Sequence, residues 1–338
     1  MLKKQILFIK PSLSSFIEQD EEIFRKHFRS VITINYSYTQ HFRSQINLLI
    51  LLLRWVPSSN LIYIWFASYH SVLPTLVAKI VSIPCIIVIG GHDAAKVYEL
   101  NYGAHLKPFR SWCSIQSCKF ATMLLTVSQF THKSIFRFIG NSQRKKTHLV
   151  YNAIDTNIFR PNPRVKRLNR VVTVCGTNKE KVIFRKSIDF FLEIAEKLPN
   201  VEFMVVGLEG PAMKWCQNHN PPNVLITERV DRDTLTQILN ESKVICQFSR
   251  YEAFGLALAE GMSMGCIPVG YNYGGTPEIM INLGYLIDKL DIELGVDAIM
   301  KALQTPDRSR KIIRDCINKR FSYKKREKKL ISLINNLW

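Results

Sequence analysis

The sequence lacks the patterns that are typical of zinc-binding, membrane-spanning and secreted proteins. Its eight cysteines include no CxxC pair, so the usual spacing of a zinc site is absent. Most of them lie inside apolar runs, which favours buried free thiols in a reducing cytoplasm. No apolar run of about twenty residues is uninterrupted, so we expect no transmembrane helix. The run Ile6–Ile9 is too short for the core of a signal peptide, so we expect none.

Acidic residues are scarce. The 338 residues include 27 Asp and Glu against 46 Lys and Arg, which gives a formal net charge of +19. Such a surplus indicates anionic partners: nucleic acid, nucleotide phosphates or an anionic membrane surface. We expect no nucleic acid, because no helix-turn-helix, zinc or exposed-aromatic signature accompanies the charge. The expected location is cytoplasmic, with peripheral contact at the inner face of the cytoplasmic membrane left open.

Short apolar runs rich in β-branched residues alternate with longer amphipathic segments. The runs are continuous, which is typical of strands buried on both faces of a parallel sheet. Strand, helix and strand in succession predict doubly wound α/β sheets. The predicted strands are Gln5–Ile9, Val31–Asn35, Leu61–Phe66, Cys85–Ile89, Met123–Val127, His148–Val150, Val171–Cys175, Glu202–Val206, Val224–Ile226, Val244–Phe248, Ile267–Val269 and Tyr285–Ile287. The predicted helices include Ser44–Trp55, Leu73–Ser82, Phe130–Phe138, Lys186–Leu198, Asp233–Glu241, Leu256–Met264 and Ile292–Leu303.

The chain is long enough for two domains. The segment Phe159–Arg170 is rich in proline and charge and is predicted to link them. We therefore expect an N-terminal domain over 1–164, a C-terminal domain over 165–320 and a helix over 321–338 that packs back on the first domain. Two such halves facing each other would form a ligand cleft at the carboxyl ends of their strands.

The segment from Glu252 to Glu260 carries the strongest candidate site. It follows a predicted strand and opens a predicted helix, so the backbone N–H groups of Phe254, Gly255 and Leu256 are expected at a helix N-terminus, which suits a phosphate or sugar hydroxyls. The two carboxylates, eight residues apart, can address different parts of one extended ligand. From spacing alone, a loop glutamate and a solvated helix glutamate are an equally good interpretation.

The order of the neighbouring segments supports a resemblance. Glu252–Glu260 resembles the donor-site motif of retaining GT-B glycosyltransferases of family 4, the glycosyl transferases group 1. Glu260–Val269 continues as a small-residue helix with G-x-P-V, and Tyr273–Ile279 resembles the G-G-x-x-E loop. Upstream, Leu125–Ser128 and Val150–Pro161 are similar to the run V-S … N-G-V-D … F-x-P, with alanine for the glycine. The resemblance implies a GT-B fold of two Rossmann-like doubly wound parallel-sheet domains.

The resemblance also implies roles in binding a nucleotide-sugar donor. Glu252 would hold hydroxyls of the donor sugar as a catalytic residue, and Glu260 would hold the ribose. Gly176 corresponds to the glycine of a G-R pair, but Thr177 occupies the arginine position. Because the leaving diphosphate needs cations, Lys186 is the first candidate. The further donor-binding candidates are Arg185, Lys181, Phe254, Gly255 and Leu256.

A histidine loop in the first half is the candidate acceptor site. Gly91, His92 and Asp93 follow the predicted strand Cys85–Ile89, and glycine permits an unusual turn there. The resemblance implies that His92 is catalytic and positions sugar and acceptor, and that Gly91 and Asp93 contact the acceptor. A lone histidine is otherwise more often structural.

The resulting hypothesis is a retaining glycosyltransferase. It would transfer a sugar from a UDP- or GDP-sugar to a saccharide or lipid-linked acceptor, in the synthesis of cell-surface polysaccharide or lipopolysaccharide. The resemblance implies no cofactor and no metal, and we interpret Asp231-Arg-Asp233 as a helix N-cap rather than a metal motif. Alternatives are a sugar-nucleotide epimerase of similar fold and a non-catalytic sugar-nucleotide-binding protein.

Overall fold

A computed structural model describes residues 2–11, 14–36 and 42–338. The chain divides into two compact units, one formed by Met1–Asn152 with Arg326–Trp338 and the other by Ala153–Lys325. Each unit contains a six-stranded parallel sheet flanked by helices. This confirms the predicted α/β class and the two Rossmann-like halves.

The sheet of the first unit has the strand order β2-β1-β3-β4-β5-β6, and all neighbouring strands are parallel. The change of direction after β1 is the mark of a doubly wound sheet. Its strands are β1 (Leu2–Lys10), β2 (Phe28–Asn35), β3 (Leu61–Trp65), β4 (Cys85–Ile89), β5 (Met123–Thr126) and β6 (Thr147–Leu149). Its helices are α1 (Ser15–His27), α2 (Phe42–Trp55), α3 (Val72–Ile80), α4 (Pro108–Phe120) and α5 (Gln129–Ile139).

Strands β3 and β4 are buried along their whole length, as continuous apolar runs require. One face of the sheet forms a core with α2, α3, α4 and α5. The opposite face is aromatic: Phe8 stacks on Tyr63, and Phe24 of α1 meets Tyr63 edge-on with ring centroids 4.7 Å apart. Each helix on the first face therefore has one side against the sheet and one side that faces away from it.

The second unit repeats the plan with the strand order β12-β11-β10-β7-β8-β9, again parallel. Its strands are β7 (Leu168–Thr177), β8 (Glu202–Leu208), β9 (Val224–Thr227), β10 (Ser242–Gln247), β11 (Ile267–Tyr271) and β12 (Tyr285–Ile287). Its helices are α6 (Glu180–Lys186), α7 (Ile188–Lys197), α8 (Gly210–Asn218), α9 (Arg232–Glu241), α10 (Leu256–Ser263), α11 (Thr276–Met280), α12 (Ile292–Gln304) and α13 (Arg308–Phe321). A last helix, α14 (Tyr323–Asn335), starts in this unit and continues into the first.

All twelve predicted strands are present, and no strand end is shifted by more than three residues. The prediction of a single helix over Lys186–Leu198 is wrong. Ser187 adopts a left-handed conformation with φ 52° and ψ 44°, and this residue separates α6 from α7. A left-handed residue cannot continue a right-handed helix. The break places Lys186 at the C-terminus of one helix instead of the start of another.

Residues 153–164 lie in the second unit, whereas the sequence analysis placed them in the first. Backbone hydrogen bonds explain the position: the N–H of Ile154 donates to the carbonyl of Phe321 at 2.8 Å, and the N–H of Tyr323 donates to the carbonyl of Ile154 at 3.1 Å. Farther along, the Ser263 hydroxyl donates to the carbonyl of Phe159 at 2.9 Å. The segment after Asn152 is thus tied to α10, α13 and α14.

A buried ion pair fixes α14 in the first unit. Arg326 donates to both carboxylate oxygens of Asp20 at 2.6 and 2.7 Å, and both residues are almost fully buried. The same carboxylate accepts hydrogen bonds from the Tyr63 hydroxyl at 2.7 Å and the Trp65 indole at 3.0 Å. Arg326 also donates to the carbonyls of Val150 and Tyr151. Because every member has partners, the network can stay charged without water.

Removing one partner should therefore cost far more than removing an exposed pair. We expect Arg326→Met to lower the free energy of unfolding by about 3–5 kcal/mol, because Asp20 would remain as a buried charge. The double change Asp20→Leu with Arg326→Met should recover part of this loss. Urea denaturation followed by circular dichroism measures both.

The matched control is Lys26→Met, which removes an exposed partner of Glu327 in α14. That change should cost less than about 1 kcal/mol. Equal destabilisation by Lys26→Met and Arg326→Met would contradict the importance of the buried network.

Candidate functional site

The segment between β10 and α10 is built as the sequence predicts, with Glu252 before the helix and Glu260 inside it. Tyr251 and Phe254 are buried and anchor the segment. Gly255 lies at the N-cap of α10 with φ 97°. A Cβ there would also come within 3.1 Å of the Gln247 amide. Glycine is therefore required at this position on two grounds, backbone conformation and space.

The Gly-Gly pair after β11 packs against the backbone of the same segment. A Cβ on Gly274 would lie 2.6 Å from the carbonyl oxygen of Glu252, and one on Gly275 would lie 2.6 Å from that of Ala253. The N–H of Gly275 donates to the Glu252 carbonyl at 2.8 Å. The two glycines thus allow one loop to lie directly on the other, which fixes the backbone that carries Glu252.

Glu252 forms an ion pair with Lys186, whose Nζ lies 2.5 Å from Oε2. Both side chains are largely shielded from solvent. Burial alone would raise the pKa of the Glu252 carboxyl, but the charges of Lys186 and Arg185 and the hydrogen bond from Lys186 outweigh burial, so the pKa lies below its usual value. Glu252 is therefore ionised at neutral pH. The structure brings together three of the residues that the sequence analysis selected.

Local contacts hold the end of α6 beside Glu252. The carbonyl of Arg185 accepts a hydrogen bond from the N–H of Arg250 at 2.9 Å. The Arg185 guanidinium donates to the carbonyl of Tyr251 at 3.3 Å. Ser187 then turns the chain away in its left-handed conformation. This left-handed conformation is one that glycine adopts more readily than serine.

The other predicted phosphate-site residues lie around the end of β7. Gly176 is exposed, and a Cβ there would meet no atom within 4 Å. The Thr177 hydroxyl accepts a hydrogen bond from the N–H of Lys179 and so caps a local turn. Lys181 is exposed on α6, one turn before Arg185. Of the two candidates for a second cation, only Arg185 contributes to the lowered pKa of Glu252.

Glu260 differs from Glu252 in its electrostatic surroundings. Burial raises the pKa of its carboxyl to about 8, although the nearby charge of Arg232 acts to lower it. Glu260 is therefore mostly protonated at neutral pH in the ligand-free protein. Arg232 was missed by the sequence analysis, which considered only the flanking aspartates. Asp231 accepts from the N–H of Thr234 at 2.8 Å and caps α9, as predicted.

In the first unit, the loop after β4 is held by Asp93. Its Oδ2 accepts from the N–H groups of Ala67 at 3.0 Å and Gly90 at 3.3 Å, and its Oδ1 accepts from that of Gly91 at 2.8 Å. Asp93 is buried, and burial raises its pKa to about 6. Asp93 thus stabilises the loop. Its contact with an acceptor stays a prediction.

His92 lies in the same loop, in a single 3₁₀ turn over His92–Ala94. Its ring meets that of Tyr102 edge-on, with centroids 5.2 Å apart, and the side chain is partly exposed. Gly91 has φ 123°, a conformation that favours glycine. Gly91 before the histidine therefore serves an unusual turn, as the sequence predicts. The catalytic role of His92 stays a prediction.

The second-unit group offers a carboxylate, two cations and a helix N-terminus within one loop cluster. A carboxylate accepts hydrogen bonds from sugar hydroxyls, and cations with backbone N–H groups bind phosphate oxygens. No group of three or more His, Cys, Asp or Glu side chains in residues 2–11, 14–36 and 42–338 is arranged to hold a metal ion. The carboxylate and the cations together can bind a ligand that has both hydroxyls and phosphates.

Comparison with known proteins gives two curated relatives from Arabidopsis thaliana. One is a component of phosphatidylinositol N-acetylglucosaminyltransferase, 27% identical over 167 residues, which cover 47% of this chain and 36% of that protein. The other is sulfoquinovosyl transferase SQD2, 22% identical over 231 residues, which cover 64% of this chain and 44% of that protein. The chain thus spans less than half the length of either relative.

Solved structures share the fold over almost the whole chain. Anabaena HepE in complex with UDP and glucose superposes with a TM-score of 0.80 at 14% identity, covering 98% of this chain and 99% of that one. Sucrose-phosphate synthase from Thermosynechococcus elongatus superposes with a TM-score of 0.77 at 14% identity, covering 99% of each chain. At this identity the likeness concerns the fold, which is GT-B.

The family model for glycosyl transferases group 1 matches residues 155–319. The match begins close to the start of the second unit and includes Lys186, Glu252 and Glu260. The second unit is thus similar to the glycosyl transferases group 1, a family of transferase enzymes.

Proposed function

We propose that the protein transfers a sugar from a UDP- or GDP-sugar to a saccharide or lipid-linked acceptor, with retention of the anomeric configuration. The observation that carries the proposal is the Lys186–Glu252 pair beside the N-terminus of α10, inside the matched domain. A nucleotide-sugar has hydroxyls that suit the carboxylate and a diphosphate that suits the cations. The complex of HepE with UDP and glucose and the relative named for N-acetylglucosaminyl transfer with phosphatidylinositol support this class of substrate.

The proposed reaction breaks the bond between the sugar C1 and the diphosphate oxygen. The acceptor hydroxyl oxygen attacks C1 from the same face, and its proton passes to the departing phosphate oxygen. Negative charge grows on the diphosphate as the bond breaks, so cations placed there stabilise the transition state more than the ground state. Lys186, Arg185 and the N-terminus of α10 supply that stabilisation in the proposal, which needs no metal or cofactor.

In this scheme Lys186 has two alternative partners. Without a ligand it neutralises Glu252, which would otherwise be a buried charge with Arg185 as its nearest cation. With a donor bound, Lys186 turns to the diphosphate, while Glu252 accepts hydrogen bonds from sugar hydroxyls. The ion pair thus keeps both groups charged until the ligand replaces it.

The other predicted residues complete the scheme. Glu260 accepts hydrogen bonds from the ribose hydroxyls, and Gly176 leaves room for the diphosphate. For His92, in the first unit, we retain the role that the resemblance implies, which is to position sugar and acceptor. We propose that this sugar transfer takes place in the cytoplasm, at the inner face of the membrane. It would serve the synthesis of cell-surface polysaccharide or lipopolysaccharide.

Replacing Glu252 or Lys186 tests the proposed site. Glu252→Gln and Lys186→Gln should each lower kcat by about 10²–10³-fold, because each removes a charge that faces the reacting atoms. The measurement is release of UDP or GDP from UDP- and GDP-sugars in the presence of a lipid-linked saccharide acceptor. Unchanged release of UDP or GDP by folded Glu252→Gln would contradict the proposed role of Glu252.

Lys301→Gln is the matched control. It breaks another lysine–carboxylate pair in the same unit, between Lys301 and Asp297 on the exposed side of α12, where Nζ and Oδ2 are 2.6 Å apart. This change should leave the rate within about twofold. A comparable loss in Lys301→Gln would mean that the assay reports stability instead of the site.

The raised pKa of Glu260 predicts a pH-dependent affinity for the nucleotide. Ribose hydroxyls donate to the ionised carboxylate, so binding must release the proton that Glu260 carries below about pH 8. Affinity for UDP or GDP should therefore rise by up to about tenfold per pH unit from pH 6 towards 8 and level off above. Isothermal titration calorimetry in two buffers of different ionisation enthalpy measures both affinity and proton release.

Glu260→Gln should abolish this dependence, whereas Glu252→Gln should keep it. Ionisation of the nucleotide's own phosphate is common to all the proteins and cancels in the comparison. The same slope in Glu260→Gln as in the unchanged protein would contradict the ribose assignment.

A non-catalytic sugar-nucleotide-binding protein is the second candidate, because Thr177 stands where the family has an arginine. Such a protein would be stabilised by nucleotide-sugars in a thermal-shift measurement without releasing nucleoside diphosphate. A sugar-nucleotide epimerase would instead convert the donor sugar when no acceptor is present. Product analysis with and without acceptor separates the three functions.

A further inference from the structure

Helix α2 has a face of large apolar side chains that is turned to solvent. Its members recur at the i, i+3, i+4 and i+7 spacing that marks one side of an α-helix. The opposite side, with Leu48 and Leu52, packs into the core of the first unit. The exposed members are Ile46, Leu49, Ile50 and Leu53. Leu53 is 65% and Ile50 is 58% exposed. Contact between water and a patch of large apolar side chains is unfavourable, and such a patch marks a binding surface.

The neighbouring helices extend this apolar surface. Leu76 and Ile80, one turn apart on α3, are exposed, as are Phe109 and Trp112 in the first turns of α4. All three helices cover the same face of the sheet. A pocket of about 380 Å³ opens between them. Its lining residues are Gln45, Tyr69, Val72, Leu73, Leu76, Phe109, Trp112 and Cys113.

Basic side chains lie on the same helices as these apolar residues, and acidic ones are absent from the helices. Between residues 42 and 120 the sequence contains two acidic residues, Asp93, which is buried, and Glu99, which lies outside the three helices. The basic residues on or next to the helices are Arg43, Arg54, Lys79, Lys107, Arg110 and Lys119. The surface therefore combines exposed apolar side chains with positive charge. In the second unit, exposed large apolar residues lie scattered over several elements.

We propose that the outer face of α2, α3 and α4 is a membrane-docking surface for an anionic phospholipid bilayer. In-plane amphipathic helices bind such a bilayer by placing Leu, Phe and Trp at the acyl boundary and Lys and Arg at the headgroups. No described helix is long and apolar enough to cross a membrane, so the contact lies in the plane of the surface. The pocket between α3 and α4 gives hydrocarbon chains a cavity to enter.

Charge distinguishes a bilayer from a second copy of the chain. A symmetric dimer would set this surface against itself and place its basic residues opposite a second basic surface, because α2, α3 and α4 contain no acidic residue. Anionic headgroups supply the missing negative charge. The proposal concerns the first unit alone and holds whether or not the second unit transfers sugar.

The test measures binding of the whole protein to vesicles of phosphatidylcholine with and without phosphatidylglycerol by sedimentation. Only the anionic vesicles should bind strongly, and added salt should weaken the binding. Replacing Ile50 and Leu53 by serine should lower the affinity by about tenfold or more, because each buries a large apolar side chain on docking. Replacing Arg54 and Lys79 by glutamine should lower it by about fivefold each.

The matched control replaces Leu225 and Ile312 by serine, since these are exposed apolar residues of the second unit. That variant should bind like the unchanged protein. All these positions face solvent, so thermal denaturation should show the same Tm for each variant. Equal binding by the Ile50 and Leu53 variant, or equal loss in the control, would overturn the proposal.

Trp112 provides a direct probe of depth. Lipids brominated in the acyl chain should quench tryptophan fluorescence, and Trp112→Phe should remove most of the quenching, whereas Trp215→Phe should not. Quenching that persists in Trp112→Phe would place the membrane contact elsewhere. A dimer that is lost in the Ile50 and Leu53 variant, together with no vesicle binding, would assign the surface to a second copy and overturn the proposal.

Discussion

The ion pair between Lys186 and Glu252 is the constraint around which the second unit is arranged. A largely buried carboxylate must have a partner, and the partner must reach it from another segment of the chain. The C-terminus of α6 reaches Glu252 only because Ser187 ends the helix there and turns the chain. The hydrogen bonds from Arg185 and Arg250 then join α6 to the loop before α10. Several unusual backbone features are thus explained by one electrostatic requirement.

The same requirement explains which glycines matter. Gly255 allows the chain to enter α10 just after Glu252, and Gly274 and Gly275 let a second loop lie on the Glu252 backbone. A Cβ on Gly274 or Gly275 would clash with the backbone of Glu252 or Ala253, and one on Gly255 would crowd the Gln247 amide. Gly176 differs, because a Cβ there would meet nothing within 4 Å, so the protein itself does not require glycine. Its small size matters only if a ligand comes close, which is what the proposed diphosphate site needs.

The sequence predicted all twelve strands because a strand buried on both faces leaves a continuous apolar run, and each run is bounded by polar or turn residues. The break between α6 and α7 was missed, since nothing local marks Ser187 as left-handed. The pairing of Lys186 with Glu252 could be expected only from the resemblance, because 66 residues separate them. Arg232 and the raised pKa of Glu260 depend on which side chains fold together, which spacing does not reveal.

The surplus of positive charge, which predicted anionic partners, is used in two different ways. Lys186 and Arg185 are partly buried beside a carboxylate, where low solvent access makes each charge strong and little affected by salt. The basic residues of α2, α3 and α4 are mostly exposed and have no acidic neighbours in those helices. Their attraction to anions is spread over the surface and is screened within about 8 Å at physiological ionic strength. Local, shielded charge suits a specific phosphate, whereas diffuse, screened charge suits an extended anionic surface. One composition can thus serve both the proposed donor site in one unit and the proposed membrane surface in the other, because the folded chain separates the two kinds of charge.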